Sequence, residues 1–211
     1  MYTNVNLAAP IGALALLGTG FLLFLAALVL LESLVVRKQT RARLVFMAMI
    51  IIGALYVIVM LIFSFASHDQ LLARGQEKHF CELDCHLAYS LVDAQTGKPN
   101  GPDRRPLVIT IKTRFDETTI APWRGNGLLS PNGRALVLVD DRGQTYRPVS
   151  QAGTPLSTPL RPGESYTTEI AFNLPANSTP VALLVSEDAW ETHLLIGHEN
   201  SPLHGKTKFQ I

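Results

Sequence analysis

One stretch of twelve residues, HFCELDCHLAYS from His79 to Ser90, holds the side chains best suited to chemistry. It contains the two cysteines of the chain, Cys81 and Cys85, with His86 directly after the second and His79 two residues before the first. A spacing of four puts both sulfurs on one face if the segment makes a helical turn. Four readings follow. A Cys81–Cys85 disulfide is favoured in an oxidising compartment, but it closes a very small loop and adds little through the unfolded state. The same pair can be redox-active. As thiolates, Cys81 and Cys85 with His86 and His79 offer soft S and N ligands for copper or zinc, and His198 and His204 are further candidates. Cys-x3-Cys-His is also a variant of the haem c attachment motif. Haem is the weaker expectation, because no methionine follows Met60 to supply a distal ligand. The last reading is two inert thiols packed as small apolar groups.

Elsewhere the chemical signals are weak. There is no nucleophile elbow, phosphate-cradling glycine motif or H-E-x-x-H pattern, so an enzyme reading has no supporting motif and the question stays open. Asp116–Glu117 and Asp140–Asp141 are adjacent carboxylates in turn contexts and read as solvated, not as an acid/base pair. His68 falls at the end of an apolar run. His193, beside Trp190 and Glu191, reads as a surface or packing residue. A net charge of +1 without a basic stripe argues against nucleic acid as a partner.

The elements that must carry these residues divide sharply by composition. Met1 to Leu31 contains no charged residue, and Leu44 to Ala66 forms a second uncharged apolar run. A hydrocarbon core about 30 Å thick needs roughly 20 apolar residues as a helix, and backbone inside lipid must satisfy itself. Residues 1–67 therefore read as a transmembrane helical hairpin, with spans at about 10–34 and 44–66 and a connector at 37–43. A cleaved signal peptide would need a basic leader, and no Lys or Arg precedes Arg37. Arg37, Lys38, Arg41 and Arg43 crowd the connector, so the positive-inside rule puts it in the cytoplasm. Both termini, and everything after residue 67, are then expected on the outer, periplasmic side of a bacterial-type inner membrane. Glu32 can snorkel to the interface. Gly12, Gly18, Gly20, Gly53 and Ala54 could let the two helices approach closely.

Residues 68–80 read as a polar, helix-compatible stalk, and residues 81–211 as a β-sandwich of about seven strands. Leu87 to Val92 is the expected first strand. Leu107 to Phe115 alternates apolar and polar. Ala135 to Val149 reads as a hairpin around an Asp-Arg-Gly turn. Pro162–Gly163 opens another strand, followed by VALLVSED and HLLIG. The C-terminal GHENSPLHGKTKF reads as a polar loop before a final strand. The fold class is thus a transmembrane helical hairpin followed by an all-β antiparallel sandwich, α+β by segment.

The sandwich segment resembles the telokin-like, immunoglobulin-fold extracellular domain family of unknown function. Asp140, Asp141, Gly143 and Tyr146 fit its hairpin, Leu160, Pro162, Gly163 and Glu164 its turn, and Phe172, Leu174 and Pro175 its strand end, over residues 105 to 190. The CELDCH segment and the two-helix anchor depart from that family. The resemblance implies an extracytoplasmic binding or accessory role. The Cys-x3-Cys pair with two spans and an outer β-domain is also similar in architecture to the binuclear-copper subunit II of respiratory oxidases. There, however, the cysteine loop comes late in the domain and is followed by a spaced His and Met. The reading that results is a membrane-anchored binding or accessory module beside a membrane complex, its partners being the bilayer and a protein. The alternative is a copper-, zinc- or thiol-redox protein acting through Cys81, Cys85 and His86.

Overall fold

A computed structural model describes residues 3–4, 8–80, 86–97, 104–119 and 124–211. Two long helices come first. Helix α1, Ala9–Val35, carries Pro10 in its first turn, where a missing N–H costs nothing. Helix α2 spans Gln39–Ala66. Both are long and apolar enough to cross a membrane, and they pair side by side. Their large apolar side chains, among them Leu14, Phe21, Phe24, Ile51, Ile62 and Phe65, point away from the protein. The connector is shorter than expected. Only Val36–Lys38 is non-helical, with Arg37 in the left-handed region at φ 55°, so Arg41 and Arg43 lie in the first turns of α2. Arg41 faces Glu32 across the turn at 3.4 Å, which gives Glu32 a partner at the basic end of the hairpin. The glycines do not mediate helix–helix contact as expected. A Cβ on Gly18, Gly20 or Gly53 would meet nothing within 4 Å, whereas one on Gly12 would strike the backbone of Ile196, far along the chain.

Eleven strands occur among the described residues, one before the helices and ten after them, in two sheets. They are β1 (Thr3–Asn4), β2 (Gln70–Leu72), β3 (Glu77–Phe80), β4 (Leu87–Thr96), β5 (Arg104–Phe115), β6 (Arg134–Asp140), β7 (Thr145–Tyr146), β8 (Ser150–Gly153), β9 (Ser165–Pro175), β10 (Pro180–Glu187) and β11 (Thr207–Gln210). One sheet has the order β1-β3-β4-β5-β9-β8, the other β2-β11-β10-β6-β7. The pairs β1–β3 and β11–β2 are parallel and the rest antiparallel. Period-two alternation gives each long strand an apolar face: Leu107, Ile109, Ile111 and Phe115 on β5, Ile170, Phe172 and Leu174 on β9, Leu138 on β6, Leu183 and Val185 on β10. These faces close on one core with Phe80, Tyr89 and Phe209, and each fully buried apolar side chain contributes about 1.5–3 kcal/mol.

Three sequence expectations change. The stalk is not helical: residues 70–72 and 77–80 form β2 and β3, one strand in each sheet. Of the polar side chains that suggested a stalk, Lys78 and His79 are buried against Glu199 and Asp116, while His68, Asp69, Gln70, Arg74 and Gln76 stay exposed. The Ala135–Val149 hairpin exists but pairs briefly, through Leu138–Tyr146 and Val139–Thr145. Pro148 has no N–H to continue that ladder. The chain crosses to the other sheet, where Val149 N donates to Ala171 O at 2.8 Å and β8 pairs with β9. Finally, HLLIG is not a strand. Trp190–Leu194 is a 3-10 turn and Leu195–Ser201 continues as turns.

The β-sheets join the helices through the C-terminal strand. Gly205 N donates to Ser67 Oγ at 2.7 Å, and Lys206 N and Lys208 Nζ donate to Asp69, each at 2.7 Å. A Cβ on Gly205 would lie 2.4 Å from the backbone carbon of His68, so only glycine lets the two segments run this close.

Candidate functional site

The sequence points first to the β3–β4 connection. Phe80 pairs with Leu87, and the six residues between them carry both cysteines. Cys81 and Cys85 themselves lie outside the described residues. Their flanking histidines are both buried, and both meet Asp116. His79 Nε2 is 3.2 Å from Asp116 Oδ2, and Asp116 N donates to the His86 carbonyl at 2.7 Å. The His86 ring stacks on Phe115, with centroids 5.4 Å apart. Asp116 is therefore not the solvated turn carboxylate expected. It accepts from Thr118 N at 3.0 Å and Thr118 Oγ1 at 2.7 Å, and it faces Arg114 at 3.3 Å. Burial alone would raise its pKa; these donors outweigh burial and hold it at about 2. Arg114 in turn forks onto Glu77 at 2.8 and 2.7 Å, which lowers the Glu77 pKa. One charged cluster thus clamps both ends of the cysteine segment.

His198 and His204 lie in the segment after β10. His198 Nδ1 accepts from Asn200 N at 3.0 Å, so in the neutral ring Nε2 carries the proton; it faces Glu187 Oε1 at 3.5 Å. His204 Nδ1 bonds the Gly205 carbonyl at 2.8 Å. His193 is exposed, as expected. No group of three metal-ligating side chains occurs among the described residues.

A residue the sequence did not single out, Lys78, is fully buried. Its ammonium donates to the carbonyls of Val185 at 2.5 Å and Thr207 at 2.9 Å and forms an ion pair with Glu199 at 2.8 Å. Burial pulls its pKa down to about 8, against the opposing pull of Glu199. The three acceptors come from β10, β11 and the loop between them, so Lys78 bolts β3 of one sheet to the other sheet. Its only sequence signal is its place in the strand E-K-H-F, where alternation would have turned one polar side chain inward.

The site best shaped for a ligand is a cleft of about 470 Å³ at the open side of the two sheets. Residues Asn132–Val137 form one wall, Arg147, Pro148 and Gln151 the other, and Pro155–Ser157 and Asp188 close the ends. Two strand edges border it. β7 pairs with β6 only at Leu138 and Val139, and among the described residues no strand pairs with Ala135–Val137 on that side. β8 is the outer strand of its own sheet. Such an edge presents backbone donors and acceptors to any extended chain. Arg134 is held in place: its guanidinium lies 4.3 Å over the Phe80 ring and donates to Tyr89 OH at 3.1 Å. Asp188 follows β10 directly, and the turns after it contact the helices at Tyr56 and Gly12, so one end of the cleft is joined to the helical hairpin through residues 189–196. The exposed edge follows from Pro148, a visible break in the sequence that was read only as the end of a hairpin.

No protein-family profile, no curated protein and no solved structure matches this chain.

Proposed function

We propose that this chain is a membrane-anchored binding module that takes up an extended segment of a partner protein by strand addition at the cleft between β6 and β8. In this reading the helical hairpin crosses the bilayer, with its basic connector in the cytoplasm and the two sheets on the outer, periplasmic face. The sheets are an immunoglobulin-like, telokin-like sandwich. The observation that carries the reading is that, among the described residues, no strand pairs with Ala135–Val137 on the side of a cleft of peptide-binding size that the outer strand β8 also borders. Main-chain hydrogen bonds would supply affinity and alternate side-chain positions selectivity. Position near the hairpin suits a partner that is itself a membrane protein. The test places a photo-crosslinking residue at Gln151 or Ser157 in native membranes, with Glu169 on the opposite face as control. A discrete adduct at the cleft positions, lost on Val137→Lys, is expected. Equal labelling at Glu169, or adducts insensitive to Val137→Lys, would contradict it.

A second reading has one observation in its favour: His79 and His86 converge on Asp116 at the two ends of the cysteine segment. Copper, zinc or thiol-redox chemistry would then run through Cys81, Cys85 and these histidines. Metal content of protein purified under reducing conditions, with and without Cys81→Ser, tests it. A fully oxidised pair without stoichiometric copper or zinc would remove the metal form.

A further inference from the structure

The turns between β10 and β11 lie against the two helices. Tyr56 OH donates to the Leu194 carbonyl at 2.7 Å. Tyr56 lies ten residues before Ala66, the end of α2, and so about 15 Å along the helix from that end. A hydrocarbon core about 30 Å thick, begun at Leu44 where the apolar run starts, ends near Ser64. Tyr56 is then about 12 Å inside that boundary, and its side chain spans only part of this depth. The neighbouring contacts lead from there back to the boundary, which Phe63 and Ala8 mark. A Cβ on Gly12 would fall 2.3 Å from Ile196 O, and one on Gly197 would fall 2.6 Å from Ala8 Cβ and 3.7 Å from Phe63 Cδ1. Gly197 also sits at φ 76°, where glycine is favoured.

The side chains of this segment are inverted relative to a loop in water. Trp190 is 69% exposed, Leu203 68% and Leu194 41%. Thr192, His198, Glu199, Asn200 and Ser201 are buried. The backbone satisfies itself, with Leu195 N bonding Thr192 O, His198 N bonding Leu195 O, Ser201 N bonding His198 O and His204 N bonding Ser201 O. Side chains take up more: Asn200 Nδ2 donates to Glu187 O and to Thr192 Oγ1, each at 2.8 Å, and Ser201 Oγ donates to Leu195 O. Internal satisfaction of this kind is what irregular backbone needs at membrane depth. Glu191 and His193, the exposed polar groups of the turn, sit beside Trp190, a residue type that prefers the headgroup level.

We infer that residues 190–203 form a wedge seated in the sheet-bearing leaflet of the bilayer, a third membrane contact in addition to the two helices. The inference rests on the reading of the helices as spans. It makes the β-domain a body held flat against lipid, with a fixed height for the nearby cleft.

The test uses the full chain reconstituted in phosphatidylcholine vesicles. The sequence has two tryptophans, so Trp123→Phe leaves Trp190 as sole reporter; the difference between the native chain and Trp190→Phe isolates the same signal if that variant folds poorly. Emission from Trp190 is expected to be quenched several-fold more by lipids brominated near the glycerol end of the acyl chain than by aqueous iodide. A separate chain with Trp123→Phe, Trp190→Phe and Phe21→Trp reports on α1, read with lipids brominated near the methyl end of the acyl chain because position 21 falls near mid-bilayer. Bromolipid quenching at position 21 with iodide quenching alone at position 190 would overturn the wedge and leave the spans standing. Quenching by bromolipid at neither position would overturn both.

Discussion

Lys78→Met should unfold the β-domain more readily than almost any other single change. The substitution keeps the length and the apolar stem but removes the charge. Glu199, only 3% exposed in its side chain, is left with its main partner gone, and the carbonyls of Val185 and Thr207 lose a donor. Removing one member of a buried ion pair costs about 3–5 kcal/mol, and each buried acceptor left unpaired adds about 1–3 kcal/mol unless the strands relax. A loss of about 4 kcal/mol is expected, a large part of the stability of a domain this size. Taking both charges away is milder, because apolar replacements of a buried pair are often near neutral. Lys78→Met with Glu199→Met should therefore recover at least half of the loss. Urea unfolding in detergent micelles, followed by near-UV circular dichroism, measures all three variants. The reasoning is refuted if Lys78→Met costs less than about 1 kcal/mol, or if the two substitutions add without recovery.

Other consequences follow from the same structure. Tyr56→Phe leaves the Leu194 carbonyl without its donor and should cost about 1–3 kcal/mol, read as faster amide exchange across Leu195–Ser201. Gly12→Val forces side-chain atoms into the Ile196 backbone; overpacking of about 1–3 kcal/mol should free residues 189–204 for proteolysis while the helices persist. Asp116 titrates at about 2 in the fold and near 3.9 unfolded, so its contribution is complete above about pH 4 and is lost as pH falls toward 2. The unfolding free energy from urea titration should drop over that window by an amount on the order of 2 kcal/mol, and Asp116→Asn should flatten the drop.

The two helices were legible because two runs of more than twenty residues without a charge make helices long and apolar enough to cross a membrane. The long strands β5, β9 and β10 were legible from alternation. The misreadings share a cause: partners distant in sequence. Leu194 and Ile196 read as a strand because an apolar run predicts burial without naming its partner; here Ile196 is buried against α1 at Gly12, and Leu194 stays exposed with its carbonyl bonded by Tyr56. The stretch after α2 read as a stalk because Lys78 and His79 are polar, and their partners Glu199 and Asp116 lie 121 and 37 residues away. Asp140 read as solvated, yet it organises its hairpin. Its Oδ1 accepts from Arg142 N and Gln144 N, and its Oδ2 from Tyr146 OH and Ser178 Oγ. The first two bonds were foreseeable from an aspartate opening a D-D-R-G turn; the last was not. The cleft was hidden for a different reason, since an uncovered edge is defined by a strand that ends early.

The central claim is that the hairpin crosses a bilayer with its basic turn on one side and the sheets on the other. Thiol labelling in spheroplasts tests it most directly, with Cys81→Ser and Cys85→Ser in the background. Glu169→Cys, exposed on β9, should react with a membrane-impermeant maleimide in intact spheroplasts, and Gln39→Cys only after permeabilisation. Labelling of Gln39→Cys without permeabilisation, or protection of Glu169→Cys, would contradict the account.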